Sequence, residues 1–295
     1  MSYPKVTLVV VPNQSFSNTQ KSLESIYEYT NIPFKLIYVD GYSPQKVKQY
    51  LEIQSQEKGF RLIRTEKYVS PNQARNIGLK HVDTEYVVFL TNDVLVTPDW
   101  LNNLLESAEQ NNASVVSPLC LQTILQRQII YFAGGTLEFE YKNGRMELFD
   151  KRLFINNSFN RVKSLLKPKS TQIIDFNCVL VRRSIFKLLK NFDENLISIG
   201  AEIDFCLSVF AVGRTIYLEP ESIVHYLQQT NLELSDTPYY FLRWSDVWNR
   251  KSINYFQEKW GLSKDAQFIA NQMRRAKKCS QITTSKMHFQ PPALV

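Results

Sequence analysis

The sequence predicts an α/β protein built on a mixed, mainly parallel sheet flanked by helices, and three observations carry that expectation. Apolar, β-branched segments such as "KVTLVVV" and "YVVFL" recur through the first 118 residues. Stretches with apolar positions at helical spacing lie between them. Ser, Thr and Pro mark several changeovers where a helix should start. This alternation is what βαβ units leave in a sequence.

Taken in order, "KVTLVVV" (5–11) reads as a strand covered on both faces, and Pro12-Asn13 ends it. Ser17 is placed to cap a helix carrying Leu23, Ile26 and Tyr27 on one face. "FKLIYV" (34–39) is the second strand, closed by "DGYSP", and a helix follows from Pro44 to Lys58. "FRLIRT" (60–65) is the third strand. Ser70 as N-cap and Pro71 at the first helical position open the helix in "SPNQARNIGLKHV". After the strand at 86–90, Thr97 and Pro98 give the same signal for the next helix, and "ASVVSP" (113–118) is a further short strand.

From about 121 to 173 the rhythm changes. "QIIYFAGGTLEFEYKNG" alternates apolar and polar residues, which predicts antiparallel strands or a hairpin, and 142–169 reads as a basic loop region. "IIDFNCVLVRRSIFKLL" is a strand running into a helix. In "AEIDFCLSVFAVG", Ile203, Cys206, Leu207 and Phe210 form one buried helical face closed by Gly213. "RTIYLEP" is a last strand, with His225 just past it. The tail from about 237 is aromatic, then basic, and predicts a small C-terminal helical extension with an ill-ordered end.

With 295 residues, 44% hydrophobic and 21% charged, the chain can bury a sizeable core without staples. Its four cysteines are far apart and lack histidine companions, which argues against a zinc site or disulfide framework and fits a reducing compartment. No secretory signal or membrane-spanning stretch is legible, so a soluble cytoplasmic protein is expected. The net charge of +7 invites acidic partners without choosing among them, and nucleic-acid binding has no other support.

In open α/β sheets ligands bind beyond the carboxyl ends of the strands. That singles out Pro12-Asn13, Asp40 and Thr91-Asn92-Asp93. Asp40 suits a base or ribose contact, or simply the Asp-Gly turn it opens. Asp93 suits Mg²⁺ or Mn²⁺, or turn capping. Arg75 can reach a phosphate or make a surface ion pair. Glu202 and Asp204 stand at a helix N-terminus, where negative charge is favoured, and each could cap or act as a general base. They point about 200° apart on a helix, so at most one can face a given substrate. His225 is a structural histidine or a metal ligand. No glycine-rich loop follows the first strand, which counts against a sugar-phosphate nucleotidyltransferase, and no G-x-G-x-x-G follows any strand, which excludes a nicotinamide enzyme.

"VTLVVVPNQS", "IYVDGYS", "ARNIGL", "FLTNDV", "NFDENL", "GAEIDFCL" and "IVHY" occur in an order that resembles family 2 glycosyltransferases of the Rossmann-like GT-A fold. The resemblance spans residue 5 to about 226. It implies a domain over 1–226, with a nucleotide-binding half at 1–118 and an acceptor and catalytic half at 119–226, followed by the extension and basic tail at 227–295. It also implies an inverting, metal-assisted transfer from a nucleotide-diphosphate sugar to a saccharide or lipid-linked saccharide acceptor. The basic 142–169 stretch and the tail are expected to shape the acceptor side, with peripheral contact at the inner face of the membrane as a further expectation.

By the same resemblance Pro12, Asp40, Arg75, Asn92 and Asp93 would bind the nucleotide sugar. Asp93 and His225 would hold Mn²⁺ or Mg²⁺. Glu202 would be the base, with Asp204 its rival. Thr91 stands where the family carries the first aspartate of Asp-x-Asp, and Ala201 where it carries a glutamate. Those two departures leave a catalytically degenerate nucleotide-sugar-binding protein as the alternative.

Overall fold

The computed structural model describes residues 4–142, 144–227 and 232–286. Its elements follow in order as β1 (Val6–Val11), α1 (Thr19–Tyr29), β2 (Phe34–Asp40), α2 (Gln45–Lys58), β3 (Arg61–Arg64), α3 (Pro71–Leu79), β4 (Tyr86–Thr91), β5 (Val94–Val96) and α4 (Trp100–Gln110). Next come β6 (Val115–Ile124), β7 (Arg127–Phe132), β8 (Gly135–Lys142), β9 (Arg145–Arg152), α5 (Phe159–Val162), β10 (Lys169–Ser170), β11 (Cys178–Arg182), α6 (Phe186–Leu189), α7 (Ala201–Ala211) and β12 (Ile216–Tyr226). Three helices finish the described chain: α8 (Thr237–Arg243), α9 (Asp246–Trp260) and α10 (Gln267–Lys286).

The main sheet runs β10-β12-β6-β11-β4-β1-β2-β3, with β5 on β12 and β7 on β6. β1 pairs in parallel with β2 and β4, and every residue of β1 and β4 is buried. That is why those strands read as nearly continuous apolar runs rather than alternating ones. β11 slots antiparallel between β4 and β6, so the second half of the chain completes the sheet of the first. The α/β class and mixed sheet are as the sequence predicts.

Local chemistry sets where the site-bearing helix lies. Ser70 accepts from the Gln73 N–H while the Gln73 side chain accepts from the Ser70 N–H, a full capping box that fixes the start of α3. Gly78 lets α3 lie close on the sheet, since a Cβ there would come within 2.3 Å of Val9 Cγ1. Gly41 does the same for the chain after β2, where a Cβ would meet Pro12 Cγ at 2.7 Å.

Several expected boundaries move. Ser17 does not cap α1; its N–H and hydroxyl go to the Asp236 carboxylate, 219 residues away. Thr97 does not cap α4, because its hydroxyl donates to the Ile223 carbonyl and Asp99 takes the N-cap position. The short strand at 113–118 extends to Ile124 as β6. The basic 142–169 stretch is not all loop, since β9 pairs with β8 through eight residue pairs across 135–152. His225 lies within β12 rather than past it.

The C-terminal helices pack onto this body. Phe256 of α9 stacks on Phe268 of α10 with ring centroids 5.2 Å apart, and Phe256 also covers Gly200 ahead of α7. No helix among the described residues is long and apolar enough to cross a membrane. The expected ill-ordered end, from 287 on, lies outside the described residues.

Candidate active site

The β1, β4 and β11 ends meet at one edge of the sheet. Asn13, just past β1, donates from Nδ2 to Asp93 Oδ2 at 3.0 Å and approaches Asn177 Oδ1 at 3.4 Å. The Thr91 N–H donates to the Asn177 carbonyl at 3.0 Å, which ties the end of β4 to the residue before β11. Asp93 is buried, and burial pushes its carboxyl up to about 6 against the opposing hydrogen bonds from Thr91 and Asn13.

A cavity of about 670 Å³ opens beside this edge. Asn13, Thr91 and Asn177 line it, with Arg75 from α3, Glu202 from α7, Arg152 from β9 and Arg243 and Trp244 at the end of α8. Arg75 is buried over the Phe176 ring, 3.9 Å from its centroid, and donates to Asn72 Oδ1 at 3.0 Å. Its Nε has no hydrogen-bond partner, and burial lowers the guanidinium to about 9. A buried guanidinium lining a cavity, with no carboxylate bonded to it, is suited to an anionic ligand.

Glu202 sits at the mouth of α7, and Arg152 Nη2 lies 3.2 Å from its Oε2. Arg152 also meets Asp150 at 3.4 Å. Burial works against the Arg152 charge, but Glu202, Asp150 and Asp175 outweigh it and raise the guanidinium above its ordinary value. Asp175, between β10 and β11, is buried and pushed up to about 7, first by desolvation and then by the Glu202 charge. Its Oδ1 accepts the Asn177 N–H at 2.8 Å.

The expected residues therefore divide. Arg75 and Glu202 share the cavity, and Asp93 stands one hydrogen bond behind it through Asn13. Asp40 is at the end of β2, its carboxylate held by the Ser43 N–H at 2.8 Å and by Arg64. Tyr42, half exposed beside it, begins an aromatic row that continues through Tyr68 and Tyr239 to Phe16. Pro12 packs on Gly41 between these two regions.

Asn92, expected to touch a ligand, is used internally. It donates to the Ser15 carbonyl at 2.7 Å and accepts the Asn13 N–H at 3.2 Å. Asp204 is turned away from Glu202 and is bound by Trp260 Nε1 and Lys259 Nζ, both at 2.8 Å, so it serves as an anchor for α9. His225 is paired with Leu95 in the β5–β12 ladder. Alternation puts it on the opposite face from Tyr226, and Tyr226 is the one that feels the Asp93 charge. Burial alone lowers the His225 imidazole. Among the described residues no group of three His, Cys, Asp or Glu side chains gathers as a metal cluster.

Sequence reasoning missed Asp175, Arg152 and Arg243. Asp175 had a signal: an acid within an otherwise apolar approach to a buried strand, as in "IIDFNCVLV". Arg152 was hidden among neighbouring cations, and no local pattern marked Arg243.

The segment after β12 is tied to the loops around this edge. Asp236 accepts the Phe16 N–H at 2.7 Å, Tyr239 donates to the Val69 carbonyl at 3.1 Å, and Trp244 Nε1 donates to Gln14 Oε1 at 3.1 Å. All three contacts fall on loops that follow or precede the site-bearing elements.

A family model described as glycosyl transferase family 2 matches residues 8–189. The succinoglycan biosynthesis protein ExoW of Rhizobium meliloti is 24% identical over 210 residues, which are 70% of this chain and 63% of that one. The pre-mycofactocin glycosyltransferase of Mycobacterium tuberculosis is 25% identical over 162 residues, 55% of this chain and 31% of its own. The chain thus spans less than two thirds of either relative. In three dimensions it is similar to GalNAc-T7, whose crystal structure holds UDP, GalNAc and Mn²⁺. The TM-score is 0.58 at 17% identity, over 94% of this chain and 55% of that one.

Proposed function

This chain belongs to glycosyl transferase family 2, and on that premise we propose that it transfers a sugar from a nucleoside-diphosphate donor to an acceptor hydroxyl with inversion. The observation that carries the proposal is the shared cavity. It is lined by an acid, Glu202, and by a buried cation, Arg75, together with Asn13 and Thr91 from the strand ends.

Asp40 and the exposed ring of Tyr42 take the base, and Pro12 lies between that surface and Asn13. Arg75 meets the diphosphate. Glu202 accepts the proton of the acceptor hydroxyl as its oxygen attacks the anomeric carbon, and the C–O bond to the diphosphate breaks with its electron pair leaving on oxygen. Arg152 holds the Glu202 carboxylate in place and offsets its charge.

Asp93 fits a hard divalent cation, because Mg²⁺ and Mn²⁺ take one or two carboxylates and complete their shell with phosphate and water. His225 is not brought to that carboxylate, so the fit rests on Asp93 alone. When bound, Mn²⁺ or Mg²⁺ would offset charge on the diphosphate leaving group. The buried free thiols Cys120, Cys178 and Cys206 agree with a cytoplasmic setting.

A degenerate, donor-binding protein is the alternative, favoured by Thr91 and Ala201 in place of acids. Donor turnover with Mn²⁺, in the wild type and in Glu202→Gln, separates the two. Turnover that depends on Glu202 supports the enzyme, and tight donor binding with none supports the degenerate form.

A further inference from the structure

We propose that the acceptor carries a phosphate group, held by a stripe of cations on α10 that borders the Glu202 cavity. The inference deepens the transferase function proposed above and rests on it. Asn271, Arg274, Arg275 and Lys278 recur at i, i+3, i+4 and i+7, so they share one side of α10. They line a second cleft of about 390 Å³ together with Asp150, Arg152 and Ile155. Arg152, Ile155, Arg275 and Lys278 border both this cleft and the Glu202 cavity. A molecule reaching out from Glu202 on this side passes along the cations.

Those cations are largely uncommitted. Arg274 donates to Asn271 Oδ1 at 3.0 Å and meets no acid among the described residues. Arg275 reaches Asp150 only at 3.8 Å, and that carboxylate is already shared with Arg152 at 3.4 Å. Lys278 has no hydrogen bond or ion pair to any described residue. Asp150 is the one acid among the described residues of the second cleft.

Arg243 also lines the Glu202 cavity, where it is 9% exposed, donates from Nη1 to the Ser198 hydroxyl and lies over the Trp244 ring, 4.8 Å from its centroid. Arg75, on α3, serves the donor diphosphate, and Arg243 lines the same cavity; Arg274, Arg275 and Lys278, on α10, border the second cleft, where an anion outside the donor site would meet them. Three cations around one path fit the oxygens of a phosphate ester better than a neutral sugar, and guanidinium groups bind phosphate in a two-pronged fashion.

The phosphate could belong to a soluble phosphosaccharide or to a lipid carrier. Ile124 lines the cavity, and Leu125, from the same turn, is 91% exposed, so both sources belong in the test. Binding is measured on the full chain with UDP and Mn²⁺ in excess. The probes are a disaccharide, its 1-phosphate, and the same disaccharide diphosphate-linked to a polyprenol in phosphatidylcholine vesicles. The phosphorylated forms should bind about tenfold tighter than the free disaccharide, and added salt should erode the gain. Arg275→Glu with Lys278→Glu should abolish the preference, and Arg275→Gln with Lys278→Gln should weaken it.

Tighter binding of the vesicle form than of the soluble phosphate assigns the phosphate to a lipid carrier, and equal binding assigns it to a soluble ester. Equal affinity for the free and phosphorylated disaccharides, or a preference that survives both double variants, overturns the proposal. Titration of the wild type with UDP and Mn²⁺ alone reports separately on the transferase function. Its failure would strike that function and leave the phosphate comparison to be read in its own right.

Discussion

Glu202 Oε2 lies 3.2 Å from Arg152 Nη2, whereas Asp204, two residues on, is held by Lys259 and Trp260. One turn of α7 thus gives one acid to the cavity and the other to the packing of α9. Glu202→Gln should lower kcat by about 100-fold or more with nucleotide affinity changed less than about threefold. Asp204→Asn should keep kcat within about threefold and leave the protein folded, because Asp204 is bonded to α9 and an amide oxygen can still accept from Trp260. Steady-state kinetics beside urea denaturation reads both. An Asp204→Asn protein that is stable but inactive would reverse the assignment.

Asp93→Asn keeps the size of the side chain and the hydrogen-bonding reach of Asn13 but removes the one carboxylate at that strand end. Mn²⁺-dependent nucleotide binding should fall at least about tenfold by calorimetry. His225→Ala, by contrast, should change it less than about threefold, since His225 faces away from Asp93. Equal losses in the two variants would restore His225 to the metal site.

Asp175 supplies a pH signature. Its carboxyl is pushed from 3.8 up to about 7 in the folded protein, so the fold binds a proton that the unfolded chain releases near pH 4. Its contribution is therefore fully present below about pH 4 and is lost as pH rises through about 7. Asp175→Asn keeps the oxygen that accepts the Asn177 N–H and carries no charge. The variant should match the wild type near pH 4 and exceed it by about 1–3 kcal/mol at pH 8, a rise of several degrees in Tm. A Tm difference that does not vary between pH 4 and 8 would show that Asp175 is not a buried, strained acid.

The strands and α3 were legible because their determinants are local. β1 and β4 are buried on both faces and read as nearly continuous apolar runs, and Ser70-Pro71 with Gln73 states its own helix start. Motif order pointed to Glu202 and Arg75, which the fold brings to one cavity. What stayed hidden was settled by distant partners: Ser17 forgoes α1 for Asp236, Thr97 forgoes α4 for Ile223, and Asp204 is claimed by α9. The roles of Arg152 and Arg243 depend on which elements meet, and no window of sequence around either residue contains that information.

The Asp236 contacts make the extension a support for the donor side. Its carboxylate accepts the Phe16 N–H at 2.7 Å and also binds Ser17, inside the loop that leads from Asn13 to α1. Asp236 is fully buried, so replacing it removes the acceptor from these backbone donors and leaves them in a dry environment. Asp236→Ala should cost about 2–4 kcal/mol and, in the folded fraction, raise the nucleotide Kd several-fold while Glu202-dependent chemistry at saturating donor changes less. Asp236→Asn retains one acceptor and should recover part of the affinity. The loop is held to the site by that carboxylate, so an Asp236→Ala protein with unchanged stability and unchanged nucleotide affinity would mean the loop keeps its shape without the extension.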